Sequence, residues 1–102
     1  MIILGFDPGI ATVGFGVISS EGNVQRAIQY GVITTPSSIP LSMRLNDIYN
    51  DALTLIKSFK PDAIAIEELF FNTNHKTGIS VAHGRGVLLL AGVQSAVPMF
   101  EY

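Results

Sequence analysis

Residues 63–67 read Ala63-Ile64-Ala65-Ile66-Glu67: four apolar positions closed by a carboxylate. So short an apolar run, entered from Pro61-Asp62, reads as a buried strand from Asp62 to Glu67 that delivers an acid to the edge of a sheet. Its inner residues are apolar on both faces, which predicts a central strand covered above and below. The chain shows the same form once more. Ile2-Ile3-Leu4-Gly5-Phe6 leads into Asp7 and then Pro8-Gly9, a second strand with an acid at its exit. If the two strands lie side by side and parallel, they are ~4.8 Å apart and finish at one rim.

The intervening sequence supports that arrangement. Thr12 to Ser19 reads as a second strand, Glu21-Gly22-Asn23 as a hairpin turn and Val24 to Thr34 as a third strand, forming an antiparallel meander. After a loop over residues 35–38, Ser38 is a candidate N-cap with Pro40 in the first helical turn. Leu41, Leu45, Ile48, Tyr49, Ala52, Leu55, Ile56 and Phe59 then recur at spacings of three and four, which is one apolar helix face. Pro61 ends that helix. A helix between the third and fourth strands makes a right-handed crossover, so the fourth strand pairs in parallel with the first. A second helix is expected from Thr73 or Asn74 to about Ser95, broken by Pro98 before a fifth strand begins at Met99. The predicted class is α/β: a mixed five-stranded sheet of order 3-2-1-4-5 with helices packed on it.

The second helix is unusual in carrying Gly78, Gly84, Gly86 and Gly92, each opposing helix formation by up to ~1 kcal/mol. Gly78, Ala82 and Gly86 fall four apart. Such a small-residue stripe serves close packing on a sheet or subunit, or contact with a large ligand, and packing is the favoured reading.

Composition bounds the function. The chain has 102 residues, 48% hydrophobic and 14% charged, with a mean hydropathy of +0.44, which suits one compact domain. No apolar run approaches the ~18 residues of a membrane span, and the start lacks a secretory signal pattern, so a cytoplasmic location is expected. With no cysteine, any metal must be held by oxygen or imidazole. The net charge of −2 disfavours nonspecific nucleic-acid binding by the whole surface, but residues 69–100 contain no Asp or Glu while His75, Lys76, His83 and Arg85 fall there. That leaves a basic patch beside the acids, or simply buried apolar structure.

Asp7 and Glu67 are therefore the candidate metal ligands. Hard carboxylate oxygens suit Mg²⁺, which takes one or two carboxylates and fills its remaining positions with water and phosphate oxygens. Asp7-Pro8-Gly9 alone is also an ordinary turn, and Glu67 alone an ordinary strand end; their joint placement carries the reading. Glu68 points to the other face. Gly14 and Gly16 share a face of the second strand near the site, where a nucleic-acid strand or a crossing helix could approach. Phe70 or Phe71 could stack on a base, and Lys76 and Arg85 could hold phosphates.

At Ile3-Leu4-Gly5-Phe6-Asp7-Pro8-Gly9, Gly14-Phe15-Gly16-Val17-Ile18, Ala65-Ile66-Glu67-Glu68-Leu69-Phe70, Gly84-Arg85-Gly86-Val87 and Pro98-Met99-Phe100-Glu101-Tyr102, the chain resembles the RuvC family of Holliday-junction resolvases. The resemblance implies an RNase H-like fold and a homodimer that nicks four-way DNA junctions with Mg²⁺ (Mn²⁺ as substitute) in recombination and repair. It implies Asp7 and Glu67 as metal-binding catalytic carboxylates and Phe70 as the aromatic that engages bases, with a branch-migration motor complex as a further partner. By the same likeness, the second helix contributes to the dimer interface and the DNA-facing surface. Members of the family continue well beyond this length, into a helix with two further acidic ligands and basic residues. Residues 1–102 are thus expected to be a single nuclease domain incomplete at its C-terminus, poorly active alone and prone to self-association. The rival expectations are a noncatalytic junction-binding scaffold on the same fold, another RNase H-like nuclease, and, less well matched to this length, an ATP-binding domain of the actin and sugar-kinase type.

Overall fold

The computed structural model describes residues 1–68 and 75–102, with side chains for all of these except residues 75–77. The elements run β1 (Ile2–Asp7), β2 (Thr12–Glu21), β3 (Val24–Thr34), α1 (Leu41–Phe59), β4 (Ala63–Ile66), α2 (His75–Gln94) and β5 (Met99–Glu101). They form one five-stranded sheet of order β3-β2-β1-β4-β5, the order that the sequence predicts. β1 pairs antiparallel with β2 and parallel with β4, and β4 pairs parallel with β5.

Local chemistry explains the element ends. The β2–β3 hairpin turns at Gly22, whose φ of +60° suits glycine. α1 opens at Pro40, whose carbonyl accepts the N–H groups of Met43 and Arg44, each at 3.0 Å. Ser38 is not the cap: the helix has no side-chain cap bond, because Pro40 already holds the fixed φ that starts a helix and its own carbonyl begins the ladder. At the other end Lys60 takes a left-handed conformation, φ 47°, and donates its N–H to the carbonyl of Ile56 at 2.9 Å. Pro61 follows, so the helix cannot continue.

Asp62 sets the level of β4 against β1. Its carboxylate accepts the N–H of Ile2 and its own N–H donates to the carbonyl of Ile2, both at 2.7 Å. From that anchor the ladder runs Ile3↔Ala63, Leu4↔Ile64, Gly5↔Ala65 and Phe6↔Ile66.

Alternate residues of the central strands then do different things. Leu4 and Phe6 of β1 and Ile64 and Ile66 of β4 are buried with Ile48, Ala52 and Ile56 of α1 and Leu88 and Ala91 of α2. Burial of each large side chain here is worth ~1.5–3 kcal/mol. Both helices thus cover one face. On the other, Ile3, Gly5, Gly16, Ile18 and Ala65 line an open, mainly apolar depression of about 480 Å³ that reaches Asp7. β4 is central as expected: Ile64 and Ile66 lie under the helices, while on the opposite side Ala63 is buried and Ala65 lines the open depression.

The packing of the α2 glycines departs from the predicted stripe at Gly86. Gly84 and Gly92 are buried, whereas Gly86 is exposed. A Cβ at Gly84 would strike the carbonyl of Gly9, and one at Gly92 would strike Met99, while nothing lies near Gly86. The buried line of α2 is therefore Gly84, Leu88, Ala91 and Gly92, again at spacings of three and four. Among the described residues no helix is long and apolar enough to cross a membrane.

Candidate metal centre

Asp7 is the last residue of β1 and Glu67 follows the last residue of β4. The Glu67 N–H donates to the carbonyl of Phe6 at 3.3 Å, so the ladder places residues 7 and 67 side by side at one rim. Both are exposed. Both continue the alternation of Gly5 and Ala65 and so belong to the open face. The two carboxyls interact directly. A hydrogen bond with Asp7, then the negative charge of Asp7, then slight desolvation raise the Glu67 carboxyl above its ordinary value. Two carboxylates that crowd each other in this way are relieved by a proton or by a cation between them.

The surroundings hold this pair rather than add to it. Gly14 lies opposite Asp7 in the β1–β2 ladder, and a Cβ there would sit 3.4 Å from the Asp7 Cβ. The turn after Asp7 is tied to the body of the protein through Thr35. The Thr35 N–H donates to the carbonyl of Ala11 at 3.0 Å, its hydroxyl donates to that of Ile10, and Arg44 of α1 donates from Nε to the same hydroxyl at 3.1 Å. The exit of β4 is tied by Arg85, which donates from Nε to the Glu67 carbonyl at 3.2 Å and forms an ion pair with Glu101 of β5.

Of the candidate residues, the structure brings Asp7 and Glu67 together, with Gly14 beside them. Arg85 lies near, but its guanidinium is engaged within the chain and its side chain is only 16% exposed. Phe70 and Phe71 lie outside the described residues. Lys76 and His75 belong to α2 by backbone, and their side chains lie outside the described ones. His83 is exposed on α2. Sequence reasoning missed Asp62, Thr35, Arg44 and Glu101. Asp62 carried a usable signal, a carboxylate at the entry of a strand; the others pair over distances that no local pattern encodes.

The donor set fits a hard divalent cation in part. Among the described residues no group of three or more His, Asp or Glu side chains could hold a metal. Two carboxylates are within the complement from which Mg²⁺ is bound when phosphate and water complete its shell.

The pattern that defines the family "Crossover junction endodeoxyribonuclease RuvC" matches residues 3–102. The chain belongs to the RuvC family. A crossover junction endodeoxyribonuclease RuvC from Ruminiclostridium cellulolyticum is 52% identical over 102 residues, all of this chain and 61% of the relative. The solved Thermus thermophilus RuvC superposes with a TM-score of 0.90 at 31% identity, covering 100% of this chain and 63% of that one. The T. thermophilus RuvC in complex with Holliday junction substrate superposes at 0.91 with 29% identity, covering 100% and 64%. The chain therefore spans about three fifths of the length of the RuvC relatives it matches.

Proposed function

We propose that these residues form the greater part of a structure-specific endonuclease that resolves four-way DNA junctions by Mg²⁺-dependent phosphodiester hydrolysis, in DNA recombination and repair in the cytoplasm. The observation that carries this reading is the Asp7–Glu67 pair at the rim of β1 and β4, supported by membership of a family with a member solved on a Holliday junction. Asp7 and Glu67 would hold the cation, Mg²⁺ or Mn²⁺ as its substitute. Bound there, the cation supplies charge neutralisation and Lewis acidity at a phosphodiester. The chain's own residues do the rest: β1 and β4 hold both carboxylates level, and Gly14 leaves the approach to Asp7 free of a side chain. Phe70 is proposed to engage bases at the junction centre, with Lys76 holding a backbone phosphate, while Arg85 is already engaged by the Glu67 carbonyl and Glu101. A homodimer matches the two symmetric strands of a four-way junction, with a branch-migration motor complex as a further partner. The domain is proposed to be incomplete at its C-terminus, where further acidic ligands would close the metal cage.

The test is binding before cleavage. Mn²⁺ should broaden the NMR signals around Asp7 and Glu67 selectively, and Asp7→Asn or Glu67→Gln should abolish that broadening. The 102-residue chain should bind a four-way junction more tightly than linear duplex, yet nick it no faster than background, since two carboxylates are a poor cage for a strongly hydrated ion. Broadening that ignores both substitutions would refute the metal centre, and robust Mg²⁺-dependent nicking by this chain would refute its incompleteness. In a chain of full family length, cleavage that survives Asp7→Asn would favour the scaffold reading.

A further inference from the structure

Two consecutive residues of α2 touch the exits of both acid-bearing strands. Gly84 is buried against the turn that follows β1, and no side-chain atom fits between its Cα and the Gly9 carbonyl. Gly9 is two residues past Asp7. Arg85, about 100° further round the helix, reaches instead to the exit of β4. Its Nε donates to the backbone carbonyl of Glu67 at 3.2 Å, and its Nη2 pairs with Glu101. Glu101 is itself fixed in β5, level with Ile66 in the β4–β5 ladder. The Glu68 N–H meets the Tyr102 carbonyl at 2.6 Å just beyond. One turn of one helix therefore contacts the backbone on which each carboxylate stands.

We propose that Gly84-Arg85 is a positioning pair that sets the separation of Asp7 and Glu67, Gly84 by letting α2 seat directly on the Asp7 turn and Arg85 by fixing the Glu67 peptide. The pair rests on the metal-centre reading above and assigns Arg85 a role different from a phosphate contact. The guanidinium meets a backbone oxygen and Glu101, and neither is a carboxylate of the centre. The need for such a device follows from the centre itself. The two acids repel each other when both are ionised, and the β1–β4 ladder stops at the Glu67 N–H, so nothing in that ladder holds the Glu67 carbonyl side of the peptide. An arginine is suited to the task because its planar fork serves a carbonyl and a carboxylate at once, which a lysine ammonium cannot reproduce with the same geometry. Groups that orient metal ligands in this way are typically worth ~10–100-fold in metal affinity.

The experiment uses the 102-residue chain, with Mn²⁺ as the probe and backbone amide hydrogen exchange as a readout that needs no metal. Arg85→Met should speed exchange at Glu68 and weaken Mn²⁺ binding at Asp7 and Glu67 by ~10-fold or more. Arg85→Lys should recover part of both losses. Glu101→Gln keeps an acceptor for the guanidinium and should be milder than Arg85→Met. Gly84→Ala should speed exchange in the Gly9–Ile10 turn and weaken Mn²⁺ binding in the same sense. If Gly84→Ala does not fold, Arg85→Met decides alone. Unchanged Mn²⁺ affinity and unchanged Glu68 exchange in Arg85→Met, with loss of junction binding, would overturn the proposal in favour of a phosphate contact. If the unsubstituted chain does not bind Mn²⁺ at the two acids, the metal-centre reading fails. Faster exchange at Glu68 in Arg85→Met would then still show the clamp, and unchanged exchange would remove it.

Discussion

The two faces of the central strands are built from alternate residues of the same short segments, and they are built to opposite ends. Leu4, Phe6, Ile64 and Ile66 face the helices and are 0–1% exposed. Gly5, Ala65, Asp7 and Glu67 take the intervening positions, with small side chains or charged ones and no helix over them among the described residues. The first set supplies the burial that makes the sheet stable. The second tolerates the repulsion of two adjacent acids because it contributes little to that stability. The proposed metal centre sits on the open face, at the height that the folded face fixes.

The largest effect expected from that contrast is on the covered side. Phe6→Ala removes a fully packed aromatic between β1 and the helices, and should cost ~3–5 kcal/mol, enough to unfold much of a domain of this size. Urea titration measures it. A cost under ~1 kcal/mol would mean that the helices do not pack on this face as described. Next come two glycines that the contrast sets against each other. Gly84 meets the Gly9 backbone from the covered side, so Gly84→Ala should destabilise by ~1–3 kcal/mol despite alanine's better helix propensity. Gly16 lies on the open face, where a Cβ would have nothing within 4 Å of it, so Gly16→Ala should stabilise by ~0.5–1 kcal/mol. Effects of the same sign for both would break the distinction between the faces.

This contrast also separates what the sequence made legible from what it did not. Alternation and three-to-four spacing are local, so β1, β3 and the buried line Ile48, Ala52, Ile56 of α1 could be read from the residues alone. The carboxylate pair could be read too, because two apolar runs ending in acids, joined through a helix, leave one parallel pairing to consider. What could not be read depends on residues that meet only after the chain has folded. Arg85 and Glu101 are 16 residues apart and sit on different elements, and nothing in either neighbourhood announces the pair. Gly78, Ala82 and Gly86 made a regular stripe, yet Gly86 is exposed while Gly84 and Gly92 are buried. Glycine spacing shows where a backbone can be approached, not which side the approach comes from. Ser38 fits the usual preference for an N-cap, but Pro40 pre-empted it by supplying both the starting dihedral and the first acceptor.

The smallest effect expected is the most direct probe of the open face. In Glu67 the folded-state pKa is raised, first by the hydrogen bond with Asp7 and then by its charge. A carboxyl with a raised folded pKa contributes stability that is fully present below its unfolded value, ~4.3, and lost as pH rises through the folded value. The metal-free chain should therefore lose stability relative to Asp7→Asn between that acid limit and neutrality, and the difference should level off once Glu67 is ionised. Asp7→Asn removes the two main causes at once, so its own profile should be flatter over the same window. Mg²⁺ or Mn²⁺ should reverse the order, because a cation that requires both carboxylates ionised stabilises only the chain that has both. Thermal melts at several pH values, with and without the cation, read all of this from one pair of proteins. Parallel profiles for the two chains would mean that Asp7 and Glu67 do not sense each other, and the open face would then carry two separate acids with no centre between them.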